Sequence, residues 1–359
     1  MLAAGLAPDE KTLTALLKIY RKARWGRDAL ELWERMRANK WPVDLILYNT
    51  LLSVCADFGL EEEAESLFVE VQNCLPVRPD DFTYTSMIKT YCSVGKVDSA
   101  LEMLDKMLDG GVKPNVMGCT CLMQCLGRAK RIDDAVRVFD IAVGRGIKPD
   151  DRICGCLLSL ASMCCESEMT KVLSCLERAS PRLVMLIRML GDGEVQFAEV
   201  RKELRSILND AADDVRKPFC NCLIDICRNR GYPSRRGREL LYIGTQFGLY
   251  SGLQNNGSTE WSLNLRSLSV GAAKTAFEEW MMHLSDSVQD DEALPLVLSI
   301  RTGNGDQRSS QGLCSAFSSY LKELAAPFSQ SGDVGCFVAA GEDVITWARS
   351  KTSNLAATA

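Results

Sequence analysis

A solenoid of α-helical hairpins followed by a small two-layer α/β domain is the fold class that this 359-residue sequence predicts. Three observations predict it. A pattern of about 35 residues recurs four times in tandem. Its apolar residues recur at helical spacing. The last hundred residues, by contrast, alternate strand-like and helix-like stretches.

The repeat is plainest in DFTYTSMIKTYCSVGKVDSALEMLDKMLDGGVKPN, residues 81–115. Met87, Ile88 and Tyr91 mark the buried stripe of a first helix, and Ala100, Leu104 and Met107 that of a second. Gly110, Gly111 and Pro114 end the unit. One such hairpin cannot bury its own apolar face, so it needs neighbours of its own kind. Residues 10–44, 45–80, 81–115 and 116–150 are complete repeats, the second with one extra residue near its end. Leu16, Leu51, Met87 and Leu122 share one column. Ala29, Ala64, Ala100 and Ala135 share another, where helices touch and only a small side chain fits. Trp33, Phe68, Leu104 and Phe139 share a third. Each unit closes on a proline and then an acid or amide: Pro42-Val43-Asp44, Pro79-Asp80, Pro114-Asn115 and Pro149-Asp150. The opening MLAAGLAPD reads as the tail of another repeat, so earlier repeats and a targeting segment are expected upstream.

Residues 151–180 continue the array in degenerate form, with Gly155 where the others carry Thr or Asn. The repeat region is thus expected over 1–180. Residues 181–258 read as a helical extension, with helices over 183–190, 197–208, 218–229 and 238–247 and a further degenerate repeat. Arg228, Arg230, Arg235, Arg236 and Arg238 cluster at its turn, either as a solvated basic loop or as a phosphate contact. Residues 251–260 read as a linker. The α/β domain is expected over 259–350. Its strands fall at 261–266, 296–300 and 336–340. Ser269 caps its first helix, and further helices fall at 312–324 and 343–349.

Composition narrows the function classes. The formal net charge is -5. Residues 259–359 hold 7 Lys or Arg against 12 Asp or Glu, and the residues before them hold 35 of each. Nucleic-acid binding by the first part must therefore come from local arrangement rather than bulk charge. The 16 cysteines are scattered without paired CxxC knuckles. Cys55, Cys121, Cys125, Cys156 and Cys222 fall on apolar helical positions, as small reduced core residues do. With one histidine, His283, expected at a helix end, no His-based metal site is expected, and no cofactor. No apolar run is long enough to span a membrane, so no membrane partner is expected.

The Trp-Leu-Gly-Tyr signature of the tetratricopeptide array is absent. YNTLL (48–52) or YTSMI (84–88) opening a repeat, and KPD or KPN closing it, resemble the pentatricopeptide repeat family instead. The resemblance implies that each repeat faces one base of single-stranded RNA, read by its fifth and last residues. On that pairing Thr14 with Asp44 implies G, Asn49 with Asp80 U, Thr85 with Asn115 A, and Thr120 with Asp150 G. The second residue is implied to clamp the base, as Ile46, Phe82 and Met117 suit, while Lys11 departs towards a phosphate contact. The competing reading of the Thr and Asn residues is helix capping.

LNLRSLSVGAA, TGNGDQRSSQGL and the ending APF…GCFVAAGEDVITW resemble the small MutS-related domain. Behind pentatricopeptide repeats, that domain is a plant organellar arrangement, mostly plastid. It implies an organellar transcript as partner, protein partners reached through the last domain, and roles in RNA maturation, transcript stability or translation. Endonuclease relatives carry Leu-Asp-x-His or Leu-Asp-Val-Arg, with a Thr-Gly-x-Gly loop. Here the candidates are Asn264, Arg266, Thr302, Gly303, Gly305 and Asp306. Asn264 replaces the acid, and an amide is neither a general base nor a hard metal ligand. Three functions therefore compete: a sequence-specific RNA-binding factor, which Asn264 favours; a repeat-guided endoribonuclease; and a protein scaffold.

Overall fold

Each repeat begins where a closing Asp or Asn turns the chain into a helix. In the computed structural model, residues 8–41, 43–73, 78–257, 259–289, 295–303, 308–332 and 335–355 are described. They divide into two units, residues 1–160 with 164–179, and residues 161–163 with 180–359.

The first unit contains helix pairs. These are α1 (Glu10–Lys22) and α2 (Gly26–Ala38), α3 (Leu45–Phe58) and α4 (Glu61–Asn73), α5 (Asp81–Val94) and α6 (Val97–Asp109), and α7 (Val116–Arg128) and α8 (Ile132–Gly144). The degenerate pair is α9 (Asp151–Met163) and α10 (Glu166–Ala179). Asp9, Asp44, Asp80, Asn115 and Asp150 precede the first helix of each pair in extended backbone. Each accepts on its side chain from the N–H three residues on, at 2.8 to 3.0 Å. That satisfies one of the orphan donors of the helix start.

The turn inside each pair repeats as closely. Arg24, Gly59, Gly95 and Lys130, the fifteenth residue of their repeats, all adopt left-handed backbone, with φ of 61°, 68°, 79° and 56°. Only the glycines do so without steric cost.

The small column is fully buried: Ala29, Ala64, Ala100 and Ala135 are all at 0% exposure. The large column packs between repeats. Trp33 meets Tyr48 edge-on at 5.3 Å, and Phe68 meets Tyr84 at 5.6 Å. Leu51, Met87 and Leu122 are buried, while Leu16 is half-buried and its neighbour Leu17 fully buried. Ion pairs between successive second helices line the surface: Arg37–Glu70, Arg137–Asp105, Lys171–Asp133 and Arg178–Asp140. Exposed pairs of this kind contribute about 0–1 kcal/mol each. Cys55, Cys125 and Cys156 are buried, and burial pushes the Cys55 and Cys156 thiols up to about 12. Cys121 and Cys222, expected in the core, are only partly covered. The extra residue expected near the end of the second repeat falls at 74–77, outside the described residues.

The second unit opens with α11 (Pro181–Gly191), α12 (Phe197–Asp210), α13 (Asp213–Asn229) and α14 (Ser234–Gln246). Helix α13 begins ahead of Pro218, which lies inside it. Then come β1 (Gln254–Asn256), β2 (Glu260–Asn264), α15 (Val270–Gln289), β3 (Val297–Arg301), α16 (Arg308–Glu323), β4 (Ser329–Gln330), β5 (Cys336–Ala340) and α17 (Gly341–Leu355). The sheet order is β1-β2-β3-β5-β4. Strands β2 and β3 are parallel, joined through α15, and the other neighbours are antiparallel.

The stretch expected as a linker is therefore partly sheet. Gln254, Asn255 and Asn256 pair with Leu263, Ser262 and Trp261. Polar side chains on an edge strand carry no apolar alternation, so the sequence concealed it. Strand β4, two residues long and exposed, was hidden for the same reason. The core joins Leu263, Leu298 and Ile300 of the sheet to Phe277, Trp280 and Phe317 of the helices. Phe277 meets Phe317, Tyr320 and Phe328 edge-on at 5.7 to 6.2 Å.

Helices α13 and α14 also pack on α15. Asp225 of α13 accepts from Ser269 Oγ and from Gly271 N–H, both at 2.8 Å, and so caps α15 from another helix. His283 lies within α15, 3.7 Å from Glu279, rather than at its end.

Candidate nucleic-acid interface

The closing residues, not the fifth residues, cap the helices. Thr14, Asn49, Thr85 and Thr120 lie one turn inside α1, α3, α5 and α7, which removes capping as their role. The cap consumes one side-chain oxygen of each closing residue and fixes its orientation.

In the second repeat the fifth and last residues bond directly, with Asn49 Nδ2 donating to Asp80 Oδ1 at 3.0 Å. Thr83 completes the cluster. Its Oγ1 lies 2.7 Å from Asn49 Oδ1 and 2.9 Å from Asp80 Oδ1, and it accepts from Asp80 N–H at 3.1 Å. All the side-chain bonds that Asp80 accepts here fall on Oδ1, and Oδ2 takes no part in them.

Beside the third repeat's pair, the residue matching Thr83 is Gly118 of the fourth repeat. A Cβ there would lie 3.1 Å from Thr85 Oγ1 and 3.5 Å from Asn115 Oδ1, so both groups border the space a side chain would fill. Thr85 is 5% exposed and its hydroxyl has no hydrogen-bond partner, an unusual state for a buried polar group. Asn115 Nδ2 donates to Asp81 Oδ2 at 3.0 Å while its Oδ1 accepts from Gly118 N–H.

The outer pairs are less closely joined. The Thr120 hydroxyl donates to Met117 O at 3.1 Å, and Asp150 is exposed at its cap. Thr14 is buried at 9% on α1, and Asp44 caps α3. Among the described residues neither pair shares a direct hydrogen bond.

The second residues of three repeats are exposed apolar groups: Ile46 at 62%, Phe82 at 63% and Met117 at 46%. One stands in the first turn of each of α3, α5 and α7. Lys11, the matching residue of α1, is exposed too. An apolar side chain held in water at a fixed repeat position stabilises nothing in the folded chain. It is available to a flat ligand.

In the second unit, the carboxyl ends of the parallel strands bring two motifs to one sheet edge. Asn264 ends β2 in register with Arg301, which ends β3, and Leu265 N–H donates to Arg301 O at 2.7 Å. Asn264 and Arg266 are exposed, and Asn264 Oδ1 accepts from Arg266 N–H at 3.3 Å. Thr302 is a different case. It is fully buried, and its hydroxyl and N–H both donate to Gly335 O, at 3.1 and 2.8 Å. Both of its donors are thus engaged within the fold. A Cβ on Gly335 would fall 1.8 Å from Gly303 O, so this crossing requires glycine. Asn304, Gly305 and Asp306 lie outside the described residues.

The arginine cluster, read as a solvated basic loop or a phosphate contact, is mostly spent on structure. Arg228 forms a two-point pair with Glu278, at 2.7 and 2.9 Å. Arg236 is fully buried and donates to Asp192 O and Val195 O. Arg235 donates to Gly193 O. Sequence reasoning missed the basic residues that do stand open, Arg201, Lys202 and Arg205 of α12. Their spacing along one helical face was the signal available.

Among the described residues no cluster of three or more His, Cys, Asp or Glu could hold a metal ion. No helix among them is long and apolar enough to cross a membrane.

A stack of paired helices, each capped by the last residue of the pair before it, defines a helical-repeat protein. The repeats it carries are pentatricopeptide repeats. Residues 1–58 and 104–154 match the family described as pentatricopeptide repeat domain, and residues 46–74 and 76–108 match two described as PPR repeat. A chloroplastic pentatricopeptide repeat-containing protein of Arabidopsis thaliana is 55% identical over 329 residues, covering 91% of this chain and 46% of that protein. The chloroplastic protein ATP4 of Zea mays, of the same description, is 38% identical over 280 residues, covering 77% and 40%. The chain thus spans less than half the length of these relatives. The crystal structure of the pentatricopeptide repeat protein PPR10 from maize has a TM-score of 0.45 at 18% identity, covering 90% of this chain and 44% of that one.

Proposed function

We propose that this chain belongs to a plastid factor that binds single-stranded RNA, one base per repeat, in the order 5′-GUAG-3′ along residues 10–150. The observation that carries the reading is the row of exposed Ile46, Phe82 and Met117 beside the polar sets around Asn49–Asp80 and Thr85–Asn115. Apolar side chains at one-repeat intervals can bracket base faces, and the polar groups between them can meet base edges. Plastid placement rests on the chloroplastic relatives. Residues 259–350 are read as a small MutS-related domain that helps hold the transcript or a protein partner. Occupying a single strand is enough to protect it or to expose a neighbouring segment for maturation or translation.

The test is a binding comparison. An oligonucleotide with the word should bind more tightly than a scrambled one, each correct base contributing on the order of 1–3 kcal/mol. Asn115→Asp should move the preference at the third base from A towards G. Equal affinity for all four third-position bases, in both proteins, would leave generic binding in place of base reading.

Cleavage is the second reading, favoured by one observation. Asn264 and the Thr302-Gly303 turn share the carboxyl edge of parallel strands, where α/β proteins place their ligands. Against it stands Asn264 itself, which offers no carboxylate for a base or a metal.

A further inference from the structure

Arg228, Arg235 and Arg236 are held by an acid or a carbonyl of their neighbours. Three basic residues of helix α12 are not. Arg201, Lys202 and Arg205 fall at i, i+1 and i+4 of one helix, and none has a hydrogen bond or ion pair among the described residues. The Nε atoms of Arg201 and Arg205 are buried and unpartnered. Glu203, the acid between them, is engaged by Arg182 at 3.0 Å and does not neutralise them.

With Phe197, Ala198, Ser206 and Asn209, all of α12, these residues border a shallow open groove along one face of that helix. At its end Phe197 meets Tyr242 of α14 edge-on at 6.4 Å, and the Tyr242 ring is 51% exposed. The Nε atoms are shut off from solvent, which leaves the terminal guanidinium nitrogens and the Lys202 ammonium to meet acceptors from outside, and phosphate oxygens suit them.

We propose that the α12 groove is a second RNA site, independent of sequence. Arg201, Lys202 and Arg205 hold successive phosphates of a single strand, and Tyr242 with Phe197 offers a stacking surface for one of its bases. Cations beside an exposed aromatic ring suit a nucleotide, which presents both an anion and a flat face. An acidic peptide would use the cations and leave the ring idle. Ser206 and Asn209 add short polar groups that can bond phosphate or ribose oxygens. The site does not depend on the reading of bases by the repeats.

The experiment measures fluorescence anisotropy of the intact chain with two RNAs across a salt series. One carries the word GUAG, and the other is oligocytidine, a base assigned to none of the four pairs. The double variant Arg201→Gln with Arg205→Gln should lose about tenfold in affinity for both RNAs. Its salt slope should fall by about 1.4, since each phosphate contact in a single strand contributes roughly 0.7. Arg201→Lys with Arg205→Lys should keep the slope. Tyr242→Ala should weaken both RNAs about tenfold and leave polyglutamate binding unchanged. The ratio between the two RNAs should survive in all these variants. Thr85→Ala with Asn115→Ala should lower that ratio. Circular dichroism establishes that each variant is folded. Unchanged oligocytidine affinity and slope in the folded glutamine variant overturn the proposal. So does a loss on polyglutamate equal to that on RNA, with no effect of Tyr242→Ala, which would assign the groove to an acidic protein. A groove that behaves as stated while the word gives no preference leaves this site standing and removes only base reading.

Discussion

Thr83 Oγ1 lies 2.7 Å from Asn49 Oδ1, so the third residue of one repeat positions the fifth residue of the repeat before it. In the next repeat Gly118 takes that place and leaves the Thr85 hydroxyl without a partner. The two polar sets are therefore built differently: one closed by the protein, the other open beside a gap.

Removing the bridge should separate positioning from packing. Thr83→Ala is expected to cost about 0.5–1.5 kcal/mol of stability for the lost hydrogen bonds. It should also weaken the preference for U at the second base, because Asn49 is no longer held. Urea unfolding, with binding to the four second-position variants, measures both. An unchanged preference would show that Thr83 serves the fold alone.

Phe82 should divide the other way. At 63% exposure its ring supports little packing, so Phe82→Ala is expected to alter stability by less than about 0.5 kcal/mol. RNA affinity should fall by about 1–3 kcal/mol, the range for a base stacked on an aromatic ring. Thermal melting beside an RNA titration checks this. A variant that melts earlier but binds equally would make the ring a packing residue.

The repeated left-handed turn gives a stability prediction free of RNA. Lys130, at φ 56°, occupies the position that Gly59 and Gly95 fill elsewhere. Lys130→Gly should stabilise the first unit by about 1 kcal/mol as the steric cost is relieved. A glycine in place of the exposed Gln124, inside α7, should instead destabilise by about 1 kcal/mol. Denaturant midpoints distinguish the two.

Asp225 gives a pH prediction. Burial pushes its carboxyl from the ordinary 3.8 up to about 6, against the opposing influence of Ser269, the Gly271 and Ala272 N–H groups and Arg228. The folded chain therefore holds this proton more tightly than the unfolded chain. The stability so contributed is full below about 3.8 and is lost as pH rises through about 6. About two units correspond to about 3 kcal/mol. Asp225→Asn keeps an acceptor for Gly271 N–H but cannot titrate. The difference in stability between the two proteins should shift by that amount between pH 4 and 7. Parallel pH profiles would refute the assignment.

The sheet edge at Asn264 should be inert towards RNA. An end-labelled oligonucleotide carrying the word, incubated with the unmodified chain, is expected to stay intact with or without magnesium. Discrete cleavage beside the word, abolished by Arg266→Ala, would make the second unit an enzyme.

The sequence by itself determined the repeats and their inward faces. Apolar spacing, the alanine column and the closing Pro-Asp or Pro-Asn are local patterns, and every copy obeys the same packing constraint. For that reason Ala29, Ala64, Ala100 and Ala135 are all enclosed. The same locality made β2, β3 and β5 legible in their apolar alternation. Only the tertiary structure decided how polar groups are spent, since a side chain's partner is set by what lies across the fold. Arg228 and Arg236 look like open cations in the chain and are claimed by Glu278, Asp192 and Val195. Thr302 looks like part of a loop motif and is tied to Gly335. Arg201 and Arg205 look ordinary, yet packing buries their Nε atoms without a partner. Hydrophobic burial follows from periodicity along the chain; hydrogen-bond satisfaction depends on neighbours tens of residues away.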